Sequence, residues 1–137
     1  MSEVNKALIR QFVEEVQNQH NIDAFEKFFA PSFINYDIIA GLPDTREGSK
    51  QLHRMLFAAF PDLKMTIHDQ AAEGDKVWTR KTGSGTHQGE LFGIPATGKQ
   101  VAWNIIDIMT VRNGQVTEHW VVADVLGLMQ QLRAVPQ

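Results

Sequence analysis

Behind Ser2, a residue able to cap a helix, the apolar positions Val4, Ala7, Leu8, Phe12, Val13 and Val16 recur at helical spacing. The spacing predicts a helix that ends near Gln19, where His20 and Asn21 interrupt it. A second, short helix is expected from Asn21 or Asp23, carrying Ile22, Phe25, Phe28 and Phe29 and stopped by Pro31. Phe33 to Tyr36 reads as a brief strand and Gly41 to Pro43 as a turn-like loop. From Glu47 to Phe60 the positions Leu52, Met55, Leu56, Ala59 and Phe60 mark one face of a third helix, which Pro61-Asp62 closes. Beyond that point the period changes. Leu63, Met65 and Ile67 alternate with Lys64, Thr66 and His68, the pattern of a half-buried strand. Glu73-Gly74-Asp75 turns the chain into a further strand, Lys76 to Thr86. Three glycines and a proline make Gly89 to Gly98 a long connection.

The clearest local signal follows. Val101 to Arg112 and Gln115 to Ala123 are strand-like runs separated by Asn113-Gly114, the pair that suits a type I′ turn because both central residues need positive φ. A two-residue loop pairs Arg112 with Gln115 and, continued without interruption, Asp107 with Trp120 and Trp103 with Asp124. One face then holds Trp103, Ile105, Asp107, Met109, Glu118, Trp120, Val122 and Asp124. The other holds Asn104, Ile106, Ile108, Thr110, Thr117, His119, Val121 and Ala123. Both are largely apolar, so neither is expected to lie open to water. The first resembles a cavity wall, and the second a packing surface against another sheet or subunit. A short helix, Val125 to Arg133, closes the pattern. Helices first and a meander of at least four antiparallel strands afterwards argue an α+β fold, its N-terminal helices packed on a strongly curved antiparallel sheet with a conical space between.

Composition narrows the chemistry. A length of 137 residues predicts one domain over positions 1–137, large enough to bury a core unaided. The absence of cysteine removes disulfides, thiolate nucleophiles and thiolate metal ligands. The five histidines have no HxxxH spacing, so no metal site is expected. A formal charge of −3 without a basic block gives no footprint for nucleic acid. No run has the length of a membrane span and the first ten residues lack a secretory apolar core, so no membrane association and a cytoplasmic location are expected.

An ordered set of motifs then points to a family. Phe60-Pro61-Asp62, Gly74-Asp75-Lys76-Val77, Gly85-Thr86-His87-Gln88-Gly89, Gly93-Ile94-Pro95-Ala96-Thr97-Gly98-Lys99 and Glu118-His119-Trp120 followed by Asp124 together resemble the SnoaL-like polyketide cyclases of the nuclear transport factor 2-like superfamily. The resemblance runs from about Val4 to Leu132. It implies a cone-shaped α+β barrel and an intramolecular aldol closure of a hydrophobic polyketide-like ketone or ester, run without metal or organic cofactor by one aspartate as general acid/base. The matching position is Asp124.

Each candidate carries two readings. Asp124 is either an acid/base whose pKa burial against Trp103, Trp120 and Val122 would raise, or the N-cap of the following helix. His87 either donates a hydrogen bond to substrate or braces its loop. Asp107 either polarises a substrate hydroxyl or pairs with Arg80 or Lys81. Trp103 and Trp120 either stack on a flat ligand or fill the core, and Asn35 and Tyr36 are further candidate pocket groups. His119, on the face opposite Asp124, is expected to serve packing or a subunit contact. The glycines around 83–98 do not form a nucleotide loop, since Thr97-Gly98-Lys99 precedes a strand. A cofactor-free cyclase is the leading function. A non-catalytic container for a small apolar ligand and a related lyase or isomerase are the alternatives, with a homodimer or higher homo-oligomer formed through the apolar sheet face.

Overall fold

The computed structural model describes residues 2–38 and 41–133. Helix α1 (Ser2–Phe12) runs directly into a π-helical turn, Val13–Asn18, so the single helix expected to Gln19 is present but wider at its end. The wider turn has a consequence for the interior. Phe12, Val13, Val16 and Gln17 are all buried, a broader inward arc than a uniform α-helix of this length presents.

The second helix is shorter than its sequence pattern. A 3₁₀ turn (Ile22–Ala24) leads to one turn of α2 (Phe25–Phe28), and Phe29 already opens strand β1 (Phe29–Asn35). Pro31 therefore lies inside a strand. That is tolerated because β1 is an edge strand, bonded on one side only. Phe12, Phe25, Phe28, Phe29 and Phe33 interlock, mostly edge to face, and anchor the helices to β1. Helix α3 (Arg46–Ala59) starts at Thr45, whose side chain accepts a hydrogen bond from the Gly48 amide. Strands β2 (Lys64–Glu73), β3 (Lys76–Thr86), β4 (Gln100–Arg112) and β5 (Gln115–Ala123) follow, and α4 (Val125–Gln131) closes the fold.

The sheet order is β1-β5-β4-β3-β2. Strand β1 joins β5 in parallel, so the sheet is mixed and not wholly antiparallel as the meander alone implied. It is curled without closing, and the helices cover its concave side. A bulge between Ile67 and Asp69 in β2 adds local twist.

The Asn113-Gly114 turn forms as expected, with φ of 53° and 75° and Arg112 opposite Gln115. The pairing then departs from the simple count. Val111 faces Val116, but Thr110 faces Glu118, which leaves Thr117 as an extra residue in β5. One inserted residue inverts every side chain beyond it. On β4 the inward row is the expected one, with Trp103, Ile105, Asp107 and Met109 buried. On β5 the rows exchange: Asp107 now pairs with Val121 and Ile105 with Ala123, while Trp120 sits opposite Ile108 and Val122 opposite Ile106 on the outer face.

Candidate active site

The bulge turns His119 inward, next to Asp107. His119 Nε2 lies 2.6 Å from Asp107 Oδ1, and Lys81 Nζ lies 2.6 Å from Asp107 Oδ2. Lys81 reaches this point because β3 alternates, burying Val77, Thr79, Lys81 and Gly83 in turn. Asp107 and Lys81 are only 6% and 3% exposed in their side chains, so the charges compensate each other out of water.

The network continues toward the helices. Lys81 Nζ donates to Gln17 Oε1 at 3.0 Å, Gln17 Nε2 lies 3.1 Å from His53 Nε2, and His53 Nδ1 lies 2.8 Å from the Ser49 carbonyl. A carbonyl only accepts, so His53 carries its proton on Nδ1 and its Nε2 accepts from the Gln17 amide. On the other side, His119 Nδ1 lies 3.2 Å from Asn35 Oδ1, an oxygen that also accepts from the Asp37 amide. Both nitrogens of His119 thus face oxygen acceptors.

The electrostatics follow from this packing. Burial alone pushes the Asp107 carboxyl up. The Lys81 ammonium and the bond and charge of His119 outweigh it and hold the group well below the ordinary carboxylate range. His53 moves down to about 4, chiefly because burial disfavours its charged form, and the Lys81 charge adds to that effect.

These polar groups form one end of a cavity of about 120 Å³. Trp103, Ile105, Val121 and Ala123 from the sheet, Leu52 and Leu56 from α3, and Leu128 from α4 supply apolar walls. Such a hollow, apolar with a few convergent polar groups, is the usual form of a small-molecule site.

Of the residues singled out by sequence, Trp103, Asp107 and Asn35 line this cavity. The others are placed elsewhere. Asp124 lies past the end of β5 with an exposed side chain that accepts from the Gly127 amide at 2.9 Å; it is the N-cap of α4 and does not face Trp103. Trp120 stacks on Tyr36 at 4.8 Å on the outer face, Tyr36 donates to Glu118 Oε2 there, and Val122 is 75% exposed. All of these corrections on β5 trace to the extra residue Thr117. His87 is fully buried, and its Nδ1 accepts from the Thr97 amide at 3.2 Å. Its backbone amide and carbonyl bond to Lys99 and Gly98, so it braces the connection that follows β3. Asp107 takes Lys81 as its partner, whereas Arg80 points outward to Asp69.

His119, expected on the opposite face in packing or a subunit contact, instead lines the cavity beside Asp107, and sequence reasoning passed over Gln17 and His53. Lys81 was open to detection, as a lysine in the inward row of an otherwise apolar alternation. Gln17 was not, because nothing in its neighbourhood announces a π-helical turn. Among the described residues no group of three or more His, Asp or Glu side chains gathers to hold a metal ion, and no helix is long and apolar enough to cross a membrane.

A helix-covered, curled mixed sheet enclosing an apolar cavity with a charged end is the α+β architecture of nuclear transport factor 2-like proteins. A family model, the SnoaL-like polyketide cyclases, matches residues 7–132, and the chain belongs to that family. Solved structures agree. TsrD from Streptomyces laurentii is 28% identical with 97% of each chain covered and a TM-score of 0.87. A polyketide cyclase candidate from Acidithiobacillus ferrooxidans is 31% identical, covering 97% of this chain and 96% of its own, with a TM-score of 0.80. AclR from Streptomyces galilaeus, described as a candidate hydroxylase, is 29% identical over 100% of this chain and 85% of its own, with a TM-score of 0.86. Among curated proteins no sequence matches the chain.

Proposed function

We propose that the chain is an acid/base enzyme that closes a ring in a hydrophobic, polyketide-like ketone or ester by an intramolecular aldol step. The observation that carries this reading is the Asp107–His119 pair, 2.6 Å apart, at the charged end of an apolar cavity, with Lys81 on the second carboxylate oxygen. In this mechanism Asp107 accepts the Nε2 proton of His119 and fixes the ring, leaving Nδ1 as the base. Nδ1 takes a proton from the carbon beside a carbonyl, and the Lys81 ammonium stabilises the enolate oxygen that forms. The resulting imidazolium is flanked by two acceptors, Asp107 Oδ1 and Asn35 Oδ1. The enolate carbon attacks a second carbonyl of the same molecule, and the new alkoxide recovers the proton from His119. Atoms balance: the product is an isomer of the substrate. The acid/base role that family resemblance gave to Asp124 passes in this proposal to His119.

The fold itself does not set the reaction, as the different descriptions of the relatives illustrate. A direct test uses 2,6-heptanedione, a diketone whose closure gives a single six-membered ring, with gas chromatography of the cyclised ketone. The wild-type chain should accelerate closure, and Asp107→Asn, assayed under conditions where it remains folded, should remove the acceleration. Binding of the diketone with no closure in the wild type would return the site to a container. The same proposal includes pairing of two copies through the outer sheet face, where Ile34, Ile106 and Val122 are exposed. Light scattering should then show a dimer, and a monomer at micromolar concentration would remove that part.

A further inference from the structure

The connection after β3 is pinned at its base and apolar at its tip. At the base, the Gln88 and Gly89 amides both donate to the Ala59 carbonyl, and Gly89 lies so close to α3 that an added Cβ would sit 2.3 Å from the Ala58 oxygen. His87 ties the returning segment through Thr97, Gly98 and Lys99. At the tip, Leu91 and Ile94 exchange backbone hydrogen bonds of 3.0 and 2.8 Å around a tight turn whose central residues, Phe92 and Gly93, have φ of 49° and 85°. This is a left-handed turn, which ordinarily takes Asn or Gly at its first central position because a bulky side chain is strained there. Phenylalanine occupies it, with 39% of its surface exposed. Leu91 beside it is buried and lines the cavity, and Phe92 lines it too. Val125 is also part of the lining and 46% exposed, and it is followed by Leu126 at 59%.

The size of the cavity gives this rim a meaning. At about 120 Å³ it is on the scale of the roughly 150 Å³ cavity that accommodates a single benzene ring, and well below the roughly 300–1,000 Å³ of sites that enclose a drug-sized molecule. A fused polycyclic compound cannot sit wholly inside. The strained, exposed aromatic therefore stands where the remainder of a larger substrate must emerge, and strain retained at such a point marks a contact under functional constraint.

We propose that the substrate divides at the cavity mouth: one ring-sized carbonyl end occupies the interior, and a second flat apolar portion lies outside against Phe92 and Val125, which makes Phe92 a specificity-determining residue. This rests on the reading of the cavity as the substrate site. The substrate class it defines is an elongated molecule with its enolisable carbonyl at one end and an aromatic or alicyclic extension beyond.

Two probes separate the parts: cyclohexanone, which fits the interior, and 4-phenylcyclohexanone, which adds a ring at the mouth. Calorimetry on the full chain should give an affinity about tenfold higher for the phenyl compound. Phe92→Gly and Phe92→Asn, both compatible with the local φ, should reduce that advantage to about twofold or less, the affinity for 4-phenylcyclohexanone falling by a clearly larger factor than that for cyclohexanone. Melting temperatures equal to or above that of the wild type, since both residues relieve the strain at this φ, would show that the loop is intact. An advantage that survives both substitutions overturns the proposal, as does equal loss for the two ketones or failure of either to bind the wild type. Deuterium incorporation beside the carbonyl of cyclohexanone, followed in parallel, reports the acid/base reading separately. The affinity pattern without exchange keeps the rim assignment and removes the mechanism, whereas exchange with an unaltered affinity ratio does the reverse.

Discussion

Lowering the pH should destabilise the fold through His53, well before the carboxylates protonate. His53 Nδ1 donates to Ser49, and its Nε2 faces an amide donor of Gln17, whose orientation Lys81 fixes from the other side. A proton added at Nε2 would set donor against donor beside a buried ammonium. The folded-state pKa of about 4 against the ordinary 6.5 expresses this. Because the folded state binds this proton less readily than the unfolded one, its contribution to stability is complete above the unfolded value and is lost as pH falls from 6.5 toward 4. The full difference is about 3 kcal/mol, of which about 2.5 kcal/mol is gone by roughly pH 4.5. Urea unfolding at a series of pH values checks it. With slopes of about 1–3 kcal/mol per molar, the midpoint should drop by roughly 1–2 M across that window. His53→Asn, less stable at neutral pH because the bond to Ser49 is lost or weakened, should show a markedly flatter profile over the same range. Parallel profiles for the variant and the wild type would refute the reasoning.

Two further outcomes follow from the same geometry. Asp107→Asn leaves the Lys81 ammonium buried without its counter-charge and should cost about 3–5 kcal/mol in chemical denaturation, whereas the pair Asp107→Leu with Lys81→Met should recover most of that loss; additive effects would show that the two groups are not coupled. Asp124→Ala should cost about 1 kcal/mol by removing the cap of α4, yet leave diketone closure within about twofold of wild type, and a collapse of closure with the fold intact would restore Asp124 to the mechanism.

The sequence and the structure part at specific residues. The helical stripes, the Asn113-Gly114 turn and the inward row of β4 were legible because each is a local pattern with one dominant solution. The β5 face was not. Its two rows, Trp120 with Val122 and Val121 with Ala123, are both apolar, so composition could not choose between them and one extra residue at Thr117 decided the matter. That single insertion carried His119 into the cavity and Asp124 out of it. The parallel pairing of β1 with β5 and the π-helical turn at Gln17 are likewise set by tertiary packing, and neither leaves a mark on sequence spacing. Asp107 was a candidate in the sequence, but the groups that surround it, Asn35, Gln17, His53, Lys81 and His119, come from five other elements.

The central claim is that His119, oriented by Asp107, moves a proton beside a carbonyl held in the cavity. Its most direct measurement is the rate at which the chain incorporates solvent deuterium into cyclohexanone, compared between wild type and His119→Gln under conditions where both remain folded. Loss of at least about 10²-fold in the exchange rate with nearly unchanged ketone affinity is the expected result. Equal exchange rates in the two proteins would contradict the account.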